Sequence, residues 1–174
     1  MNDNEPQPDA TSIDLRMMLR ALELARYAAA IGEVPVGAVV YRGEEILGEG
    51  FNLRESQADP TAHAEIIALK AAAKKLGTWR LDECSIAVTL EPCPMCAGAM
   101  INGRVARLIY GAADPKMGCV HTLYQLCTDA RFNHRLEVIA GIEAAACGQV
   151  LQDFFKARRG KDKPAKPGAA SSGN

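Results

Sequence analysis

Ser85-Ile86-Ala87-Val88-Thr89-Leu90-Glu91-Pro92-Cys93-Pro94-Met95-Cys96 is the stretch from which the fold can be read. Its first six residues are short, largely apolar and β-branched, as in a buried strand. Pro94 suits the first position of a helix and leaves Cys93 as its cap. A strand that feeds a helix through a turn bearing ligand side chains is how open α/β sheets build their sites. The complementary stretch is Thr61-Ala62-His63-Ala64-Glu65, followed by the apolar Ile66, Ile67 and Leu69. In mid-helix, residues i and i+2 point about 200° apart, so His63 and Glu65 can share a pocket only at a helix end. Thr61, after Pro60, is expected to cap that helix and to place His63 and Glu65 in its first turn.

His63, Cys93 and Cys96 are ligands of the kind zinc prefers, and three protein ligands leave the fourth tetrahedral position for water, as in catalytic sites. Zinc lowers the pKa of such a water from about 15.7 to about 7. Glu65 is then the expected general acid/base. Two helix N-termini converging on the metal would favour thiolate over thiol. A closed structural site of Cys93, Cys96, Cys119 and His121 is the rival reading, and it leaves Glu65 without a role. A redox pair at Cys93 and Cys96 would need no His-x-Glu. The combined pattern H-x-E…P-C-x-x-C is that of zinc-dependent nucleobase deaminases.

Outward from these motifs, the chain alternates helices and strands. Thr11 and Asp14 form a capping-box pattern ahead of a helix to about Gly32, with Met18, Leu22, Ala25 and Ala29 on its core face. Val36 to Tyr41 and Ile46 to Asn52 read as a hairpin about the turn Arg42-Gly43-Glu44. A loop from Leu53 to Pro60 leads to the His63 helix, which ends near Leu76. After the cysteine helix, to Ile101, a fourth strand is expected over Arg107 to Tyr110, and a fifth over Leu136 to Ala140. Gly111 to Gly118 reads as a loop, and a short helix is expected over Tyr124 to Leu126. A last helix from about Ile142 to Arg159 presents Cys147, Val150, Leu151, Phe154 and Phe155 as a packing face. The expected architecture is a three-layer α/β/α domain with helices on both faces of a five-stranded mixed sheet.

At 174 residues the chain suits one domain, spanning 11–159, between a polar segment 1–10 and a Lys/Pro/Gly/Ser tail 160–174, both expected to be disordered. The net charge of -1 is unevenly distributed. Residues 1–14 carry Asp3, Glu5, Asp9 and Asp14 with no base, whereas Lys156, Arg158, Arg159, Lys161, Lys163 and Lys166 crowd the end, a surface suited either to solvent or to phosphate. Six irregularly spaced cysteines with no signal peptide or long apolar run exclude a disulfide scaffold and a membrane protein, and a cytoplasmic location is expected. Cys84, Cys119, Cys127 and Cys147 read as buried small side chains.

At these residues the chain resembles the tRNA-specific adenosine deaminases of the cytidine deaminase superfamily. The likeness extends beyond the zinc motifs to Glu33-Val34-Pro35-Val36-Gly37-Ala38-Val39, Gly50-Phe51-Asn52, Asn133-His134-Arg135, and Asp153-Phe154-Phe155 with Arg158-Arg159. It implies a cytidine deaminase-like fold, one zinc ion per subunit, a homodimer, and conversion of adenosine to inosine at the wobble position of a tRNA anticodon stem-loop. It also implies that Asn52 hydrogen-bonds the purine, that Val34, Pro35 and Val36 line the base pocket, that the Ala64 backbone orients the ring, and that Arg158 and Arg159 lie near the nucleic acid. Asp114 is expected either to accept from a ribose 2′-OH or simply to form a turn before Pro115. Two alternatives remain at this level: a deaminase of guanine or another free base with the same zinc chemistry, and a noncatalytic tRNA-binding zinc module.

Overall fold

The structure, a computed structural model, describes residues 10–161, with side chains to residue 159. The expected disorder of 1–10 and of 160–174 falls almost wholly outside the described residues. Helix α1 (Ser12–Ala30) begins at the capping box: Thr11 N donates to Asp14 Oδ2 at 2.8 Å and Asp14 N to Thr11 Oγ1 at 3.1 Å. Strands β1 (Gly37–Arg42) and β2 (Glu45–Phe51) follow as an antiparallel hairpin with a register shift between Val40 and Tyr41. The four-residue helix α2 (Arg54–Gln57) occupies the segment expected to be plain loop. Then come α3 (Ala64–Leu76), β3 (Ser85–Leu90), α4 (Pro94–Asn102), β4 (Arg107–Ala112), β5 (Glu137–Ala140) and α5 (Ala144–Lys161). The only helical turn between β4 and β5 among the described residues is a 3-10 turn at Leu126–Thr128, slightly beyond the expected Tyr124–Leu126.

The sheet has the order β2-β1-β3-β4-β5, antiparallel at β2/β1 and β1/β3 and parallel at β3/β4 and β4/β5. Strand alternation divides two cores. Ala38, Val40, Ile86, Val88, Leu108 and Val138 pack under α3 and α4, while Val39, Ala87, Ile109 and Ile139 pack under α1 and α5. This is the expected three-layer arrangement. Gly50 is needed for close packing: a Cβ there would lie 2.2 Å from the Ala64 carbonyl oxygen, so only glycine lets β2 reach the start of α3.

Strand direction gathers the site. Because β1 runs antiparallel to β3, the residues before β1 and after β2 lie at the end of the sheet where β3 and β4 finish. Val34, Val36, Asn52, Glu91 and Asp114 therefore meet at one sheet edge, although they span 80 positions of sequence. Asn52 N donates to the Val36 carbonyl at 3.1 Å, and Glu91 N to that of Ala112 at 2.8 Å, closing this edge.

Candidate active site

His63 is itself the N-cap of α3, and Thr61 is not. Thr61 instead donates N–H and hydroxyl to Asp59 Oδ1, both at 2.7 Å, so its side chain is consumed by the turn before the helix. The shift moves His63 out of the first turn and leaves Glu65 as the second helical residue, with the two side chains free to face one cleft. Cys93 caps α4, Pro94 follows, and Cys96 lies one turn in. The ligand atoms of His63, Cys93 and Cys96 all lie within 4.8 Å of one another. His63 Nδ1 stands 3.7 Å from Cys93 Sγ and 3.6 Å from Cys96 Sγ. Tetrahedral zinc with Zn–N of about 2.05 Å and Zn–S of about 2.3 Å requires N···S separations of about 3.6 Å, so the donor set fits that ion. Cys119 is buried outside this cluster, and His121 Nδ1 is 2.9 Å from the Tyr110 hydroxyl, so neither joins a closed site.

The two thiols are shifted in opposite directions. A hydrogen bond from Cys96 and the neighbouring His63 hold the Cys93 thiol down at about 4 against the opposing effect of burial. The Cys93 contact and burial push the Cys96 thiol up. Glu65 is only 4% exposed, and burial raises its pKa, with the negative Cys93 adding to the effect. A carboxyl raised in this way is suited to taking up and returning a proton near neutrality.

Around the cluster opens a cleft of about 820 Å³. Val34, Val36, Asn52, Ala64 and Asp114 line it; Pro35 is buried between the two valines and does not. Asp114 Oδ1 accepts from Lys116 N at 2.9 Å and Met117 N at 3.3 Å, which makes it a turn former at the cleft rim. Arg158 and Arg159 are exposed on the last turns of α5 and do not line the cleft. Phe155 corrects the expected packing face: it is 43% exposed and, with Leu151, forms a cleft wall, while Phe154 meets it edge-on at 5.4 Å. Ala146, Cys147 and Val150 of α5 pack against the core, and Leu151 and Phe155 turn to the cleft instead. Phe155, Arg158 and Arg159 share a helix face at i, i+3 and i+4.

Two buried carboxylates carry little signal of their role in the sequence. Glu91 accepts from Asp114 N (3.1 Å), Val120 N (3.1 Å), His121 N (2.8 Å), Thr122 N (2.9 Å) and the Thr122 hydroxyl, fastening the segment 114–122 over the site. Burial pushes this carboxyl up, but the Thr122 and backbone donors outweigh it and hold the group down at about 2. Glu33 does the same for Asn52 and α2. The one hint is an acid set within an apolar run at a strand edge, where a solvated side chain is the ordinary expectation.

The family model of the MafB19-like deaminases matches residues 13–159. A tRNA-specific adenosine deaminase of Haemophilus influenzae is 49% identical over 154 residues, covering 88% of this chain and 89% of its own. One from Bacillus subtilis is 46% identical, covering 86% and 92%. A structure solved in work on A-to-I editing by tRNA:A34 deaminases at the wobble position superposes with a TM-score of 0.75 at 37% identity, over 78% of this chain and 99% of that one. A guanine deaminase from Nitrosomonas europaea superposes at 0.69 with 25% identity, over 88% and 90%. With a His-Cys-Cys triangle beside a buried glutamate and near-half identity along the whole domain, the chain belongs to the tRNA-specific adenosine deaminases.

Proposed function

We propose that the protein hydrolyses adenosine to inosine at the wobble position of a tRNA anticodon loop, as a homodimer with one zinc ion per subunit held by His63, Cys93 and Cys96. The observation that carries the chemistry is Glu65, buried against the ligand triangle and open to the cleft. Zinc, when bound there, activates the attacking water. Glu65 would take one proton from that water as its oxygen adds to C6 of the purine and pass it to the ring nitrogen, then take the second proton from the new C6 hydroxyl and give it to the amine as the C6–N bond breaks and ammonia leaves. Asn52 hydrogen-bonds the base, Val34 and Val36 contact its faces, and the Ala64 backbone orients it. Asp114, through the oxygen its turn leaves free, accepts from the ribose 2′-OH. Arg158 and Arg159 neutralise phosphates beyond the cleft.

The cleft, of about 820 Å³, is large enough to receive a nucleotide. A loop nucleotide is also cheaper to splay out than one in a duplex. No helix among the described residues is long and apolar enough to cross a membrane. A tRNA substrate places the enzyme where tRNA is, in the cytoplasm.

The test compares inosine formation on an anticodon stem-loop bearing a wobble adenosine with ammonia release from guanine, cytidine and adenosine, using zinc-loaded protein. Inosine from the stem-loop alone is expected. Ammonia from guanine alone would retain the metal chemistry and replace the substrate. Silence on all of them would favour a binding module.

A further inference from the structure

Glu33 is 1% exposed and lies just past the Ile31 C-cap of α1, where its own N–H donates to Ala28 O at 3.0 Å. Its carboxylate receives four donors: Asn52 Nδ2 at 3.1 Å, Glu55 N at 3.3 Å, Ser56 N at 2.7 Å and Ser56 Oγ at 2.5 Å. Burial would raise its pKa, but the Ser56 and Glu55 donors more than offset this and hold it below the ordinary carboxylate range. An ionised carboxylate only accepts. The amide nitrogen of Asn52 must therefore face it, because a flipped amide would set oxygen against oxygen.

The other end of that amide is left for the cleft. Asn52 lines the cleft and Glu33 does not. No side-chain donor in the described residues reaches Asn52 Oδ1, yet no buried side-chain polar atom among them lacks a partner. Oδ1 is consequently accessible, and the accessible side of Asn52 is the cleft. The two backbone bonds to Glu55 and Ser56 also fix α2, whose first residue, Arg54, forms part of the cleft wall.

We propose that Glu33 is a positioning residue that fixes the hydrogen-bonding polarity of Asn52, presenting its amide oxygen to a donor on the bound nucleotide. The assignment rests on the proposed deaminase reading for the identity of that nucleotide. Glutamine at this position would offer its own NH₂ to at least one of the four donors and would permit Asn52 to turn over, so charge and not size is what the position requires.

The test is a double-mutant cycle on zinc-loaded protein with the wobble-adenosine stem-loop. Glu33→Gln is expected to lower kcat/KM about 10- to 100-fold in the wild-type background, the worth of one hydrogen bond to a charged group, and less than about twofold when Asn52 is already alanine. Losses that multiply in the double variant, or an unchanged Glu33→Gln enzyme, would overturn the assignment. If Glu33→Gln does not fold, Ser56→Ala removes one donor instead: a loss that disappears in the Asn52→Ala background supports the assignment, and one that persists there overturns it. A substrate-free readout separates this inference from the reading beneath it. In ¹⁵N-labelled wild type, the side-chain NH₂ pair absent from Asn52→Ala should be protected from solvent exchange, and Glu33→Gln should remove that protection. Unchanged exchange refutes the anchor even if no substrate is converted, whereas lost protection in an inactive wild type sinks only the substrate.

Discussion

Glu65 has a side chain buried among groups that could not tolerate it without a purpose. A carboxyl beside Cys93 and Cys96 is desolvated and faces negative charge, both of which raise its pKa. Glu65→Gln preserves the shape and removes the proton acceptor. We expect kcat to fall by about 10²–10⁴, the usual worth of general acid–base catalysis, with the zinc content per chain unchanged. A loss below about tenfold would mean that another group moves the proton. This residue and the three ligands are legible in the sequence because their chemistry lies in residue type and short spacing. Thr61 misleads because the capping preference of threonine is a local average, and Asp59, two residues away, offers its side chain a competing partner. Glu33 and Glu91 are illegible for a different reason: their donors come from positions about 20 to 30 residues distant, and only the folded chain makes those donors converge.

The segment after β4 shows what one such acid does for a whole element. Residues 114–122 form no helix or strand, yet Glu91 binds four of their N–H groups and one hydroxyl, so the rim of the cleft is fixed from beneath. Gly118 is pressed against that carboxylate, and a Cβ there would lie 2.3 Å from Oε2. Gly118→Ala should therefore push the rim away, cost about 1–3 kcal/mol of stability through the loosened hydrogen bonds, and raise KM more than it lowers kcat. Thermal unfolding and steady-state kinetics check both parts; an unchanged KM would show that the rim does not hold substrate. The end of α5 makes the converse case, since residues 155–159 are exposed. Arg158→Ala with Arg159→Ala should weaken stem-loop binding and reduce the slope of log K against log salt by up to about 2, one unit for each phosphate no longer neutralised. A parallel salt plot would remove both arginines from the interface. The strands and their faces are legible because burial on both sides leaves a dense apolar run, whereas α2, with only four residues and no buried side chain, carries no periodic signal.

Helix α1 is tied to three strands at the opposite end of the sheet from the site. Asp14 on α1 is fully buried and accepts from the Tyr41 hydroxyl of β1 and from Arg107 of β4, whose Nη1 and Nη2 lie at 3.1 and 3.0 Å; Arg107 Nε reaches Glu137 of β5 at 3.1 Å. Burial alone would raise the Asp14 pKa, but Arg107 and Tyr41 outweigh it and the group is held at about 2, against 3.8 when free. A depressed folded-state pKa means that the unfolded chain binds the proton first, so the stabilisation is complete above about pH 5 and is lost as the pH falls towards 2. The difference corresponds to about 2 kcal/mol. Asp14→Asn cannot ionise and leaves Arg107 half-paired in a largely buried place. It should be less stable than wild type by about 3–5 kcal/mol at pH 7, the cost of breaking a buried pair. That gap should narrow by about 2 kcal/mol between pH 5 and pH 2, as the wild-type carboxylate takes up its proton. Glu91 titrates over this range alike in both proteins, so its contribution cancels when denaturant unfolding is compared at matched pH and protein concentration. A gap that stays constant to pH 2 would show that Asp14 has the same pKa in the folded and unfolded chain, so that Arg107 and Tyr41 do not stabilise its charge.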